Sequence, residues 1–262
     1  MKPAVQITLF FVFIFSVPVI AQEWKVTERL PGSDTVLVKR FKDGKLDWEV
    51  FELNDRTVKT RYYYYTDTSF RYHEWTEKFS DYVVHEFYLD SMPMSITSCH
   101  KHKLNGPYRA FYRSGKLEYA YEYKMNKQQG VQYHYYEIGK LCCTTNWVND
   151  AVLGPYCEWH PNGNVKETGY AVNGALQDTI RTYHENGKLC TVMIYKDDIP
   201  WEVISNFDAE GNARPMGTLK NGTGTVLNYD EKGVIEDADV YQDGEYIESY
   251  WEWDLPDDGR PD

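Results

Sequence analysis

The chain has 262 residues, room for one or two domains, and a formal net charge of −12. That acidic balance argues against a nucleic-acid binder and against a binder of anionic membranes, since both need a basic surface. It favours solubility or a basic protein partner. Aromatics make up 16% of the chain, with 23 tyrosines among them; such side chains pack well on a pleated surface, so strands are expected.

In chain order, residues 1–21 (MKPAVQITLFFVFIFSVPVIA) read as an export signal. Lys2 precedes an apolar run from Val5 to Ile20, and Val19-Ile20-Ala21 suits cleavage between Ala21 and Gln22. The run is 16 residues long, short of the ~20 needed to span a bilayer. An uncleaved anchor is the alternative. Cleavage removes the only charged residue of the segment, Lys2, and takes the mature charge to −13. The expected location is the periplasm, the cell surface or the medium.

Residues 22–104 read as degenerate N-terminal β-hairpin repeats. Counting back in steps of 24 from Gly115, with a one-residue slip, reaches Met92, Thr68 and Gly44, each near turn-forming residues. Leu46, Phe70 and Met94 follow two places later, and Tyr64 and Tyr88 precede two of the three by four.

Residues 105–253 carry a clear repeat. Turn glycines fall at Gly115, Gly139, Gly163, Gly187, Gly211 and Gly233, with steps of 24, 24, 24, 24 and 22. Four residues before each lies an aromatic: Phe111, Tyr135, Trp159, Tyr183, Phe207, Tyr229. This is the expected core ladder. Two residues after each glycine lies Leu117, Leu141, Val165, Leu189, Ala213 or Ile235; eight after come Tyr123, Trp147, Ala171, Tyr195, Leu219 and Tyr241. Equal parity puts these two sets on one face of an extended strand. A second turn follows in each unit, as at Asn173-Gly174 and Asp243-Gly244, dipeptides that tolerate positive φ. Each unit is therefore strand, turn, strand, turn. The expected fold is all-β: an elongated antiparallel β-meander of stacked hairpin repeats in a single curved sheet. Residues 254–262 read as an acidic disordered tail.

The pattern Tyr119…Tyr123-Lys124…Gly130…Tyr133…Tyr135-Tyr136…Gly139-Lys140-Leu141 resembles MORN-type repeats, in the bacterial variant of YwqK-family antitoxin-like proteins. It recurs as Trp159…Asn162-Gly163-Asn164-Val165 and Tyr183…Asn186-Gly187-Lys188-Leu189. The resemblance implies stacked antiparallel hairpins used for binding. The antitoxin label implies neutralising a toxin by direct contact.

Catalysis has little support, for no nucleophile elbow, phosphate-cradling loop, HExxH or CxxC pattern occurs. No enzyme activity and no cofactor are expected. His100 and His102, with Cys99, offer too few ligands for a closed zinc site, and no metal is expected. Tyr112, Tyr136, His160 and His184 share one register three places before the turn glycine, and His134 lies two residues before that register on the same face. Read as the more exposed face, this ladder either grips a partner through aromatic side chains or simply stacks across strands. Among the five cysteines (Cys99, Cys142, Cys143, Cys157, Cys190) the one pair worth entertaining as a disulfide is Cys143 with Cys157; small strand side chains without a bridge are the alternative. The function expected is an exported, non-enzymatic protein-binding module, and its acidic charge suits a basic partner. The rival is an envelope or surface scaffold that self-associates.

Overall fold

A computed structural model describes residues 23–53, 56–66, 69–76, 81–88, 90–230 and 232–251. The expected leader, its cleavage point at Ala21-Gln22 and the tail 254–262 lie outside the described residues. Among the described residues there is no α-helix. Two compact units meet between Lys127 and Gln128. The first holds β1 (Glu23–Arg29), β2 (Thr35–Lys42), β3 (Lys45–Leu53), β4 (Arg56–Tyr65), β5 (Ser69–Thr76), β6 (Asp81–Tyr88), β7 (Pro93–His100), β8 (Lys103–Phe111) and β9 (Leu117–Lys124). The second holds β10 (Lys127–Tyr135), β11 (Leu141–Val148), β12 (Ala151–Trp159), β13 (Val165–Val172), β14 (Ala175–Tyr183), β15 (Leu189–Lys196) and β16 (Ile199–Asn206). It adds β17 (Gly224–Tyr229), β18 (Ile235–Gln242) and β19 (Glu245–Trp251). Strands β1 to β16 follow one another in a sixteen-stranded antiparallel meander, and β17–β18–β19 form a separate sheet. The expected antiparallel meander is present, but it is two sheets and not one.

Two turn types alternate, and each needs positive φ. In the first, the Tyr112 amide donates to the Lys116 carbonyl and the Gly115 amide to the Tyr112 carbonyl, both at 2.8 Å. Gly115 takes the left-handed position at φ 81, the signature of a type I turn closed by a glycine bulge. The same two bonds recur at Tyr136–Lys140, His160–Asn164, His184–Lys188, Asp208–Asn212 and Asp230–Val234. Upstream, Ser91 fills the slot with φ 66. It sits a full period of 24 before Gly115, so the one-residue slip to Met92 is corrected. The second turn has two positive-φ residues, as at Asn149-Asp150 (54 and 70) and Asn173-Gly174 (53 and 89), a type I′ hairpin whose twist matches its strands. Asp43-Gly44 is also of this second type, with φ 50 and 79, so Gly44 is not the counterpart of Gly115.

Beside each first-type hairpin of the array whose two arms are strands sits a β-bulge. Phe111 pairs with Leu117 while Ala110 pairs with Tyr119, and Trp159 pairs with Val165 while Glu158 pairs with Glu167. The extra residue reverses the parity of the strand beyond it. Leu117 and Tyr123 therefore leave from opposite faces, which corrects the expectation that those two registers share one. The assignment of faces is corrected too. The face carrying His134, Glu158 and Thr182, read from sequence as the exposed one, is the buried face of the second unit. By strand pairing it continues into Ile180, Met193, Val203 and Asn206, all buried. The aromatic ladder from Phe111 to Tyr229 is half-buried at every rung.

The core of the second unit lies where the repeat breaks. A strand is expected after Gly211, yet 214–219 run without one. Pro215 has no amide to donate and Gly217 sits at φ 91. The segment instead bridges the two sheets. Val203 donates to the Leu219 carbonyl (3.1 Å) on one side, and Leu219 donates to Thr225 (2.9 Å) on the other. Leu219 is thereby pressed among Met193, Val203 and Val226, with Tyr195, Met216 and Tyr241 packed around them. Arg214 reinforces the bridge. Its Nε donates to Asn206 Oδ1 at 2.7 Å, and its guanidinium lies 3.7 Å from the Tyr229 ring centroid.

Buried tyrosines give the fold an alkaline limit. Burial, and then Asp239, push the Tyr241 phenol up to about 12, and burial pushes Tyr63, Tyr121 and Tyr156 upward too. Below the ordinary phenol value of about 10 both states hold the proton, and the contribution is fully present. Above it the unfolded chain ionises first, so stability drains as pH climbs through about 12. The melting temperature should fall across this alkaline window, with phenolate absorbance lagging that of free tyrosine. A flat melting temperature there would contradict the burial.

Candidate functional site

The histidine–tyrosine ladder is a set of stitches between repeats. The Tyr136 phenol donates to the Trp159 carbonyl at 2.7 Å. His160 Nε2 lies 2.9 Å from the Tyr183 carbonyl, and His184 Nε2 lies 2.9 Å from the Phe207 carbonyl. A carbonyl only accepts, so Nε2 carries the hydrogen in both rings. Each bond reaches one repeat ahead and occupies the polar atom that was to face a partner. Tyr112 holds the equivalent place, half-buried. The opposite turns are stitched by side-chain acceptors. Asn126 Oδ1 accepts from the Leu104 amide, Asp150 Oδ1 from Gln128 and Asp198 Oδ1 from Leu176, each at 2.6 Å. A net ~0.5–1.5 kcal/mol per bond is the usual scale. No sequence rule announced these bonds, though the recurring slot was visible.

Other sequence candidates fall apart in space. His102 occupies a turn at φ 61 and packs near Trp75 and Tyr82, while His100 Nδ1 meets Asp81. The trio with Cys99 does not converge. Cys143 pairs with Glu158, and Cys157 with Thr144. One register step puts the two thiols on opposite faces, so of the two alternatives the unbridged one holds; both are free.

His134 behaves differently. Its Nδ1 lies 3.7 Å from Cys143 Sγ, and Cys142 Sγ completes a group whose ligand atoms all lie within 4.8 Å of one another. Burial, the adjacent Cys142 and then Glu158 push the Cys143 thiol up to about 11.

In the first unit, sequence reasoning missed a polar network on β3–β5. The Tyr63 phenol donates to Glu49 Oε2 at 2.6 Å, and Arg61 Nε donates to Glu74 Oε2 at 2.8 Å. The Arg61 guanidinium also lies 4.9 Å from the Tyr72 ring centroid. Glu49 is buried, and the Tyr63 phenol and, at 3.5 Å, the Arg61 guanidinium satisfy it. It is a structural cluster, legible only once register is known.

The exposed face of the second unit is the surface that remains. Val131 (43% exposed), Tyr133 (41%) and Tyr170 (42%) lie on it. Tyr133 pairs with Thr144, Thr144 with Cys157 and Cys157 with Thr168, two residues before Tyr170. The net negative charge lies in this unit as well. Residues 128–262 hold nine Lys and Arg against 24 Asp and Glu, while residues 1–127 hold 19 against 16.

Residues 104–125, 153–173 and 179–197 match the MORN repeat variant family. These stretches coincide with β8–β9, β12–β13 and β14–β15. No curated protein matches the chain.

Proposed function

We propose that the chain is an exported, non-enzymatic protein-binding module whose second unit takes a basic protein partner. The observation that carries this reading is the coincidence of exposed Val131, Tyr133 and Tyr170 with a unit in which anions outnumber cations 24 to nine. Apolar and tyrosine side chains supply contact area at small entropic cost, and the net negative charge of the unit steers a cationic partner and selects against anionic ones. An antitoxin-like role is a narrower form, in which the partner is a basic toxin. The test is capture from extracts of the native host. A heterologous basic protein should bind in stoichiometric amounts. Tyr133→Ala and Tyr170→Ala should each weaken it by roughly tenfold or more, as hot-spot truncations do. Binding should also fall with added salt. Capture indifferent to both variants and to salt would refute the reading.

Self-association is the second reading, and β19 favours it. This strand ends the three-stranded sheet and exposes Tyr246, Ile247 and Trp251. A long apolar edge is a ready template for another chain. Complexes containing this chain alone, at a mass above the monomer, would support that alternative.

A further inference from the structure

The cluster at His134, Cys142 and Cys143 is explained by neither the stitching nor the binding face. Its origin is local. His134 and Cys143 are direct partners across β10 and β11, and the register then shifts so that Tyr135 meets Leu141. Cys142 is the extra residue of that bulge. Neighbouring strand residues ordinarily point to opposite faces, but a bulge breaks the alternation and brings both sulfurs to one side. One imidazole nitrogen and the two Sγ atoms then all lie within 4.8 Å of one another.

The spacing suits a metal ion. With metal–sulfur bonds of ~2.3 Å and metal–nitrogen bonds of ~2.0–2.1 Å, a tetrahedral centre sets its nitrogen and sulfur ligands ~3.6 Å apart. The His134–Cys143 separation is 3.7 Å. Two sulfurs and an imidazole form a soft donor set, which selects thiophilic ions over Mg2+ or Ca2+. Glu158 pairs with Cys143 on the same face, where its carboxylate is held by Lys166 at 3.1 Å and so leaves the site to the three soft donors. The same slots two repeats on hold Thr182, Cys190 and Thr191, and the two threonine hydroxyls there hydrogen-bond at 2.6 Å. The geometry is thus common to the array, and the donor set belongs to one repeat.

We propose that His134, Cys142 and Cys143 bind one thiophilic closed-shell metal ion, Zn2+ or Cu+, with each ligating thiol releasing its proton to solvent. Solvent water completes the shell when a fourth ligand is required. This inference stands independently of the protein-binding reading.

The test is anaerobic titration of the reduced full-length protein, first with Co2+ as a spectroscopic stand-in for Zn2+, then with Zn2+ and Cu+ against a chromophoric chelator. One equivalent should bind. A thiolate-to-cobalt charge-transfer band displaced by Zn2+ assigns the tetrahedral ion; tight Cu+ binding without that band assigns a three-coordinate one. Cys142→Ser, Cys143→Ser and His134→Gln should each cost more than ~100-fold in affinity, beyond the 10–100-fold typical of an outer partner. Cys190→Ser and Cys157→Ser should bind as the unsubstituted chain does. Far-ultraviolet spectra check that every variant folds, and the polar, similar-sized His134→Gln carries the test if a serine variant does not. The proposal is overturned by the absence of saturable binding, by equal loss in Cys190→Ser, or by affinity unchanged in all three ligand variants. A Cys142–Cys143 disulfide whose reduction restores no metal binding would overturn it too.

Discussion

The Leu219→Ala protein should melt roughly 10 °C below the unsubstituted chain. Leu219 is only 1% exposed and is the largest fully buried side chain among the described residues. It closes a cluster with Met193, Val203 and Val226, so truncation removes its transfer energy and leaves a cavity. Such changes cost about 2–5 kcal/mol, and in a unit of this size each kcal/mol moves the midpoint by about 3–4 °C. Calorimetry reads the shift. Ile204→Ala is the matched control: this side chain is 45% exposed, and its loss should stay within about 0.5 kcal/mol. Equal effects from the two substitutions would mean that the bridge between the sheets is not where the second unit keeps its core.

Gly217→Ala should be at least as damaging, for a different reason. The new Cβ would stand 2.2 Å from the Thr225 carbonyl oxygen and 2.7 Å from its carbon. Both are backbone atoms, and that oxygen accepts from the Thr218 and Leu219 amides at 2.9 Å. Relief of the clash therefore pulls apart the bonds that hold Leu219 in place. Gly163→Ala isolates the conformational part of the cost, since Gly163 has φ 100 but no atom within 4 Å of the added carbon. It should lose about 1–2 kcal/mol, the left-handed penalty for a residue with a Cβ. Urea midpoints for the two variants should differ by clearly more than that amount. Matching midpoints would show that strain in φ is the whole effect and that the approach to Thr225 is tolerated.

Much of this architecture was legible in the sequence because its turns depend on chemistry that few residues supply. Gly115 to Gly233 mark positive φ at a fixed interval, and Asn173-Gly174 and Asp243-Gly244 mark the hairpins between. The faces were not legible. An extra residue beside each turn, such as Cys142, leaves no compositional trace, yet it inverts parity for the rest of the strand. The half-buried ladder through Trp159 was mistaken for the core, and the face of Met193 and Val203 was taken for the exposed one. The bridge at 214–219 was legible in part, since Pro215 and Gly217 argue against a strand, but the six turn glycines made continuity look assured. The ladder of His160 and His184 was found as a pattern with a binding and a structural reading, and the bonds behind the structural one were not legible, because a bond to a carbonyl 23 residues ahead depends on stacking geometry. The soft-donor cluster was missed for the same reason as the faces: Cys142 and Cys143 are adjacent, and adjacent strand residues ordinarily diverge.

The stitches also bear on how such a chain is inherited. Each one spans 22 or 23 residues and joins a fixed slot of one copy to a different fixed slot of the next. An in-frame duplication or loss of one whole coding period brings or removes a matched donor and acceptor together, leaving no raw seam. A slip of any other length orphans both ends at once. The array can thus lengthen or shorten by whole periods while every remaining stitch keeps both its ends.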